Sequence, residues 1–187
     1  MCGAIHQIKL QFRRVKPNLP FDGKTLALCI VMGILMLSVA YGNGHITGKI
    51  TAVIDGNTVE VVTSDNEVLK ILLANIDSPE LGQEFGTEAK EYLEKIVLKK
   101  NVVVQLEGKD RHGNHIAVVM VNGKVDVRIE LLKRGLAWTA EKNPLATLEA
   151  YRLEAKNKGK GLWHQENPTP PWTYRREQSM LKPKSSA

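Results

Sequence analysis

A chain of 187 residues, 26 of them Lys or Arg and 20 Asp or Glu, has room for one sizeable core with a helix or two beyond it, which argues against a large multidomain machine. Its formal charge of +6 sits mostly at the front: the first forty residues hold Lys9, Arg13, Arg14, Lys16 and Lys24 against one acid, Asp22. The rest carries a surplus of only two basic residues, which argues against gripping polyanions by net charge alone. Both cysteines, Cys2 and Cys29, lie in the same leader, which leaves no disulfide or thiol chemistry for the remainder.

Leu26 to Ala40 is an uninterrupted run of apolar or small residues, preceded by basic residues and followed by Tyr41-Gly42-Asn43-Gly44. It falls short of the roughly twenty residues of a membrane span and reads as the apolar core of a secretory signal. Residues 1–42 are therefore expected to be a signal peptide, cleaved near Ser38-Val39-Ala40 or Ala40-Tyr41-Gly42, in an exported protein, periplasmic or secreted. The alternative is an uncleaved anchor through residues 26–40, with Arg13 and Arg14 kept on the cytoplasmic side and membrane contact through this segment alone.

Ile46 to Ile54 and Thr58 to Val62, joined by the Asp55-Gly56-Asn57 turn, predict a β-hairpin. Val68 to Ala74 predicts a third strand, and its almost continuous apolar run predicts that both faces are covered. Thr87 can cap a helix running to about Leu98, with Ala89, Leu93, Ile96 and Val97 on one face. Two strands follow, Val102 to Leu106 and Ile116 to Val121. A short helix from Val127 to Arg134 is stopped at Gly135, and another runs from Pro144 to Lys156 with Leu145, Leu148, Tyr151 and Ala155 inward. The Pro-rich stretch Asn167 to Trp172 and the polar tail after Arg176 are expected to be extended or disordered, which sets a domain at 45–176 and a tail at 177–187. Three strands, a helix, two strands and then helices indicate an α+β fold, a five-stranded Greek-key β-barrel of the OB type with about three α-helices.

The chemistry-bearing stretch is Asn75-Ile76-Asp77-Ser78-Pro79-Glu80, where the third strand runs into a turn with two carboxylates three residues apart. Oxygen ligands from Asp, Asn or a carbonyl suit a hard cation, and a nearby Glu can take a proton from water. Pro79 stiffens the backbone between the acids. The plainer alternative is a turn whose acids simply face solvent.

The order of motifs resembles the staphylococcal-nuclease-like (thermonuclease) family. The residues that carry the likeness are Val53-Ile54-Asp55-Gly56-Asn57-Thr58-Val59, Ile76-Asp77-Ser78-Pro79-Glu80, Phe85-Gly86-Thr87-Glu88-Ala89, Asp110-Arg111-His112-Gly113-Asn114, Arg134-Gly135-Leu136-Ala137-Trp138, Lys160-Gly161-Leu162-Trp163 and Pro170-Pro171-Trp172. The resemblance implies an OB-fold, calcium-dependent phosphodiesterase that cuts DNA and RNA. In it a glutamate activates water, acids and a carbonyl hold the metal, and two arginines stabilise charge on the phosphate. It places the general base on Glu80, a metal-binding carboxylate on Asp77 and the carbonyl ligand on Ser78.

Three positions depart from the family pattern. The second metal acid is Asn57, which offers a carbonyl oxygen without charge and weakens a calcium site. The arginine expected five residues before Asp77 is Leu72, and the one closing the Asp110 turn is Asn114. Neither can make charge-assisted, bidentate contact with phosphate. Lys70, Arg111, His112 and His115 are the residues near enough in sequence to substitute, with Arg128 just beyond; Lys70 points to the face of Leu72 but is set back by about 7 Å, and the two histidines also read as plain turn residues. Trp138, Trp163 and Trp172 either stack on bases or, with the stronger case beside Gly and Pro, anchor packing. Arg175 and Arg176 either touch phosphate or complement a helix dipole. Three functions stay open: an exported nuclease with Glu80 as base, a catalytically degenerate module binding single-stranded nucleic acid or another polyanion, and a scaffold for a protein partner in the cell envelope.

Overall fold

The computed structural model describes residues 45–181. The leader with its apolar run and both cysteines, and the last six residues, lie outside the described residues. Among the described residues no helix is long and apolar enough to cross a membrane.

The chain opens with β1 (His45–Val53), β2 (Thr58–Thr63), β3 (Val68–Leu73) and a short β4 (Ile76–Asp77), followed by helix α1 (Gly86–Val97). Strands β5 (Asn101–Lys109), β6 (His115–Val121) and β7 (Val125–Asp126) lead into α2 (Val127–Arg134) and β8 (Trp138–Thr139). Helix α3 (Ala146–Asn157), a 3-10 turn over Gly161–His164 and α4 (Pro171–Leu181) complete it. The main sheet runs β3-β2-β1-β5-β6, and a parallel β3–β6 pairing, Ile71 opposite His115 to Leu73 opposite Ala117, closes it into a five-stranded barrel. The expected strands and closed barrel are borne out.

Closure depends on bending. β1 and β5, nine residues each, break register between Ile50 and Ala52 and between Leu106 and Gly108. The extra residue at each break is a β-bulge that adds twist, so one strand can serve both sides of the barrel. Alternation puts Ile50, Val59, Val61, Ile71, Val104 and Val119 into the interior. Ala89, Leu93 and Val97 of α1 and Leu131 and Leu132 of α2 pack against the same core, as their helical spacing requires.

Several local expectations are corrected. β3 alternates instead of being covered on both faces: Leu69, Ile71 and Leu73 are buried, Val68 and Lys70 are exposed and Leu72 is half-buried. Thr87 does not cap α1; Phe85 occupies that position with a left-handed backbone, φ 66°, and no side-chain cap. Leu145 lies outside α3 and is exposed, whereas Leu148 and Ala155 are buried as expected. Gly135 ends α2 in the left-handed region, φ 69°, as its sequence position indicates. The largest departure is α4. The stretch expected to be extended becomes an eleven-residue helix whose first residue is the buried Pro171, a position where a fixed φ and a missing N–H cost nothing.

Trp138, Trp163 and Trp172 are packing anchors. Trp138 meets Trp163 edge-on with ring centroids 4.4 Å apart and Trp172 at 5.7 Å, the favourable geometry for aromatic pairs. Nearby, Glu149 ties α3 to β8: it accepts from Thr139 Oγ1 at 2.6 Å and from Arg152 Nε at 2.9 Å. Arg152 above all, and then Thr139, hold the Glu149 carboxyl below its ordinary value. A depressed carboxyl contributes stability that is present above the unfolded value and is lost as pH falls through the folded one. Glu149→Gln should therefore cost about 1 kcal/mol at neutral pH, given the partial exposure, and nothing in acid. Urea unfolding across the acid range checks this; equal midpoints at neutral pH would refute it.

Candidate active site

Two turns meet at one end of the barrel. The first follows β1, where the Asn57 backbone N–H donates to Asp55 Oδ1 at 2.8 Å and tightens the bend. The second follows β4. Asn75 takes a left-handed backbone, φ 62°, and Asp77 lies opposite Trp138 in the β4–β8 pair. Gly56 lets the turns touch: a Cβ there would sit 2.8 Å from Ser78 Cβ and 2.7 Å from Ala89 Cβ. The Gln83 N–H then donates to the Glu80 carbonyl at 2.8 Å, which fixes the second turn against the entry to α1.

The resulting cleft, about 600 Å³, is lined by Asp55, Asn57, Leu72, Asp77, Ser78, Glu80, Asp110, Arg111, His112 and Arg175, among others. Most of the residues singled out from sequence are thus brought together, although Asn114 is not part of the lining. Leu72 forms part of the wall and is half-buried, an apolar side chain among mostly polar lining residues. Asn114 lies in the hairpin before β6, with its amide donating to Asp110 Oδ2 at 2.9 Å. That bond first, with the backbone N–H groups of His112 and Asn114, holds the Asp110 carboxyl below its ordinary value.

The proposed substitutes divide. Arg111 and His112 face the cleft. Lys70 does not: it sits opposite Glu60 on the β2–β3 pair and faces solvent farther down the strand. His115 is engaged in the β5–β6 and β3–β6 pairings, opposite Lys109 and Ile71, and does not line the cleft. Arg128 is buried and spent on Asp126, with its Nη2 2.8 Å from Oδ2.

The residue that sequence reasoning misplaced is Arg175. Carried in on α4, its guanidinium spans the acid pair, with Nη2 2.6 Å from Asp77 Oδ2 and Nη1 2.7 Å from Glu80 Oε1 and 3.1 Å from Asp77 Oδ1. It sits inside α4 and not after the end of a helix, where the dipole reading puts it. Burial pushes the Asp77 carboxyl up, and the ion pair with Arg175 only partly offsets this; Asp77 in return raises the Arg175 guanidinium. Burial disfavours the charged carboxylate and the neighbouring cation favours it, and at Asp77 burial is the larger of the two. The signal available in sequence was Pro171 at a helix start with Trp172, Tyr174 and Arg175 in the first turn after it.

A closed five-stranded barrel with two acid-bearing turns at its mouth defines an OB-type domain with a cleft suited to a cation and an anionic ligand. The chain belongs to the staphylococcal nuclease homologue family, whose model matches residues 70–165. That match takes in Leu72, Asp77, Glu80 and Asn114 and stops short of Asn57 and Arg175. The chain is 35% identical to a Haemophilus influenzae protein named as an uncharacterized endonuclease, over 72% of this chain and 75% of that protein. It is 33% identical to an Escherichia coli protein of the same name, over 70% and 85%. To the micrococcal nuclease of Shigella flexneri it is 29% identical, over 69% and 80%.

The family is calcium-dependent in general, and the residues at the cleft can be tested for that fit. Asn57 Oδ1 is buried with no hydrogen-bond partner, a neutral oxygen left free to coordinate. Asp77 supplies charge beside it, with Asp55 close enough to raise its carboxyl further. Among the described residues no three Asp, Glu, His or Cys side chains cluster to hold a metal by themselves, so a cation here leans on neutral oxygens. The set fits a hard cation, weakly: Asp77, Asn57 and the Ser78 carbonyl would hold it, and it would supply charge to polarise a phosphate oxygen.

Proposed function

We propose that this domain has given up ordinary phosphodiester hydrolysis and works outside the cytoplasm as a binding module for single-stranded nucleic acid. The observation that carries the proposal is the fate of the arginines. By the family resemblance Leu72 and Asn114 hold the two arginine positions; Leu72 lines the cleft, and the Asn114 amide, outside its lining, is spent on Asp110. Arg175 is spent on the acids themselves. Losing one preorganised charge stabiliser costs on the order of 10² to 10³ in rate, and a Glu80 bound to a guanidinium is a poor base. The barrel mouth remains open, with Arg111 and His112 on its rim to meet phosphate.

Hydrolysis is the second reading, favoured by Arg111 in the same cleft and by relatives named as nucleases. One experiment separates the two. The full chain in detergent is incubated with fluorescent single-stranded DNA or RNA in calcium, magnesium or EDTA, beside a Glu80→Gln variant that controls for contaminating nuclease. The expected result is no cleavage above the control, with intact strands retained in a salt-dependent way. Metal-dependent cleavage lost in Glu80→Gln would establish hydrolysis instead. Neither cleavage nor retention would overturn the nucleic-acid reading and leave a protein partner in the envelope.

A further inference from the structure

We propose that Arg175 is a built-in competitor for the cation seat: helix α4 latches the acid turn by laying its guanidinium across Asp77 and Glu80, and a divalent cation that occupies the turn must displace it and release the helix. The inference is independent of whether the domain cuts nucleic acid, because it concerns only what neutralises the two acids.

The contact is more specific than an ordinary surface ion pair. One guanidinium makes three hydrogen bonds of 2.6 to 3.1 Å to two carboxylates almost a hundred residues away in sequence. The fork geometry of arginine matches this double acceptor. The helix is held on the same turn by neighbouring contacts: Tyr174 Oη donates to the Gly82 carbonyl at 2.9 Å, and Gln83 Nε2 donates to the Thr169 carbonyl at 2.6 Å. The acid turn is thus strapped on both sides of Glu80, while beside it Asn57 Oδ1 has no partner. Arg175 directs its donors to Asp77 and Glu80 and leaves that oxygen without a partner, whereas a metal ion seated at Asp77 can take it as a ligand. The latch leaves unfilled a need that a cation would meet.

The seat and the latch share Asp77, so occupancy by one excludes the other. By linkage, whatever strengthens the latch weakens the cation and the reverse. Arg175 is half exposed, which screens the pair, so the competition is expected to change cation affinity by about tenfold, not by many orders.

Terbium(III), a luminescent stand-in for calcium, tests this in the full chain, because Trp138 opposite Asp77 can sensitise it. Arg175→Gln should bind terbium about tenfold more tightly than wild type, and Asp77→Asn should abolish the signal in either background. Arg176→Gln removes the adjacent charge, whose nearest acid is Glu141 at 3.7 Å, and should leave affinity unchanged. Unchanged or weaker binding in Arg175→Gln overturns the latch, as does an equal gain in Arg176→Gln, which would reduce it to bulk charge. Hydrogen exchange on the wild-type protein keeps the test independent of the variant's folding: calcium should speed amide exchange in α4 relative to α1. Exchange in α4 that ignores calcium would refute release.

Discussion

Gly86→Ala is expected to destabilise the domain by about 3 kcal/mol, at the upper end of what overpacking costs, and to lower its melting temperature by roughly 10 °C. Gly86 is the first residue of α1, and a Cβ built on it would lie 1.8 Å from the Glu80 carbonyl oxygen and 2.6 Å from its carbon. Both partners are backbone, so no side chain can swing aside. The same carbonyl accepts from the Gln83 N–H, so moving it also breaks the bond that closes the acid turn. Helix propensity pulls the other way by at most about 1 kcal/mol, since Ala is the better helix former; the collision wins. Gly108→Ala is the matched control, with nothing within 4 Å of its Cβ, and should stay within about 0.5 kcal/mol of wild type. Thermal unfolding of the two variants decides the matter: equal melting temperatures would mean that the turn is not wedged against α1.

That wedge shows what was legible in the chain and what was not. The strands were readable because alternation is a local property: Val59 and Val61, or Val102 and Val104, declare their inward face without knowing their partners. Helix α2 was readable because Gly135 can take the left-handed backbone that ends it. β3 misled because Leu72 stands on the outward face, where alternation calls for a polar residue, so an apolar side chain there looked like an extra covered face. The acid pair was legible as chemistry, from spacing and from Pro79, and the cleft holds Asp77 and Glu80 together with Asn57 and with Leu72, which only the family resemblance pointed to. What could not be read was the partner of the acids. The Arg175 contact depends on α4 returning across the turn, a long-range event with no periodic signature, and the prolines before it argued locally for extended chain. Lys70 failed as a substitute for the opposite reason. Its face was right, but its place along the strand was wrong by about two residues, or 7 Å, more than a cationic side chain opposite Glu60 makes up.

Restoring the family's charges should restore cleavage. The combined variant Asn57→Asp, Leu72→Arg and Asn114→Arg is expected to raise calcium-dependent hydrolysis of single-stranded DNA by at least 10² to 10³ over the wild-type chain, the range that one preorganised charge stabiliser commands; the second arginine need not multiply it. The scaffold is ready for each change. Leu72 already forms the cleft wall, opposite Thr58 on β2, so an arginine there emerges beside Asp77. The Asn114 backbone N–H donates to Asp110 Oδ1 at 2.9 Å independently of its side chain, so the turn survives loss of the amide contact. Asn57→Asp adds charge where a buried, unpartnered oxygen now sits and should tighten the cation. Glu80→Gln in the same background should return the rate to that of the control, which assigns the proton transfer. Arg175 remains across the acids in this variant, so its further replacement by glutamine should raise the rate again at low calcium and leave it unchanged at saturation, where the cation has already won Asp77. Cleavage that stays at background with all four changes, in protein shown to bind terbium, would mean that the cleft fails as a geometry and not for want of three side chains.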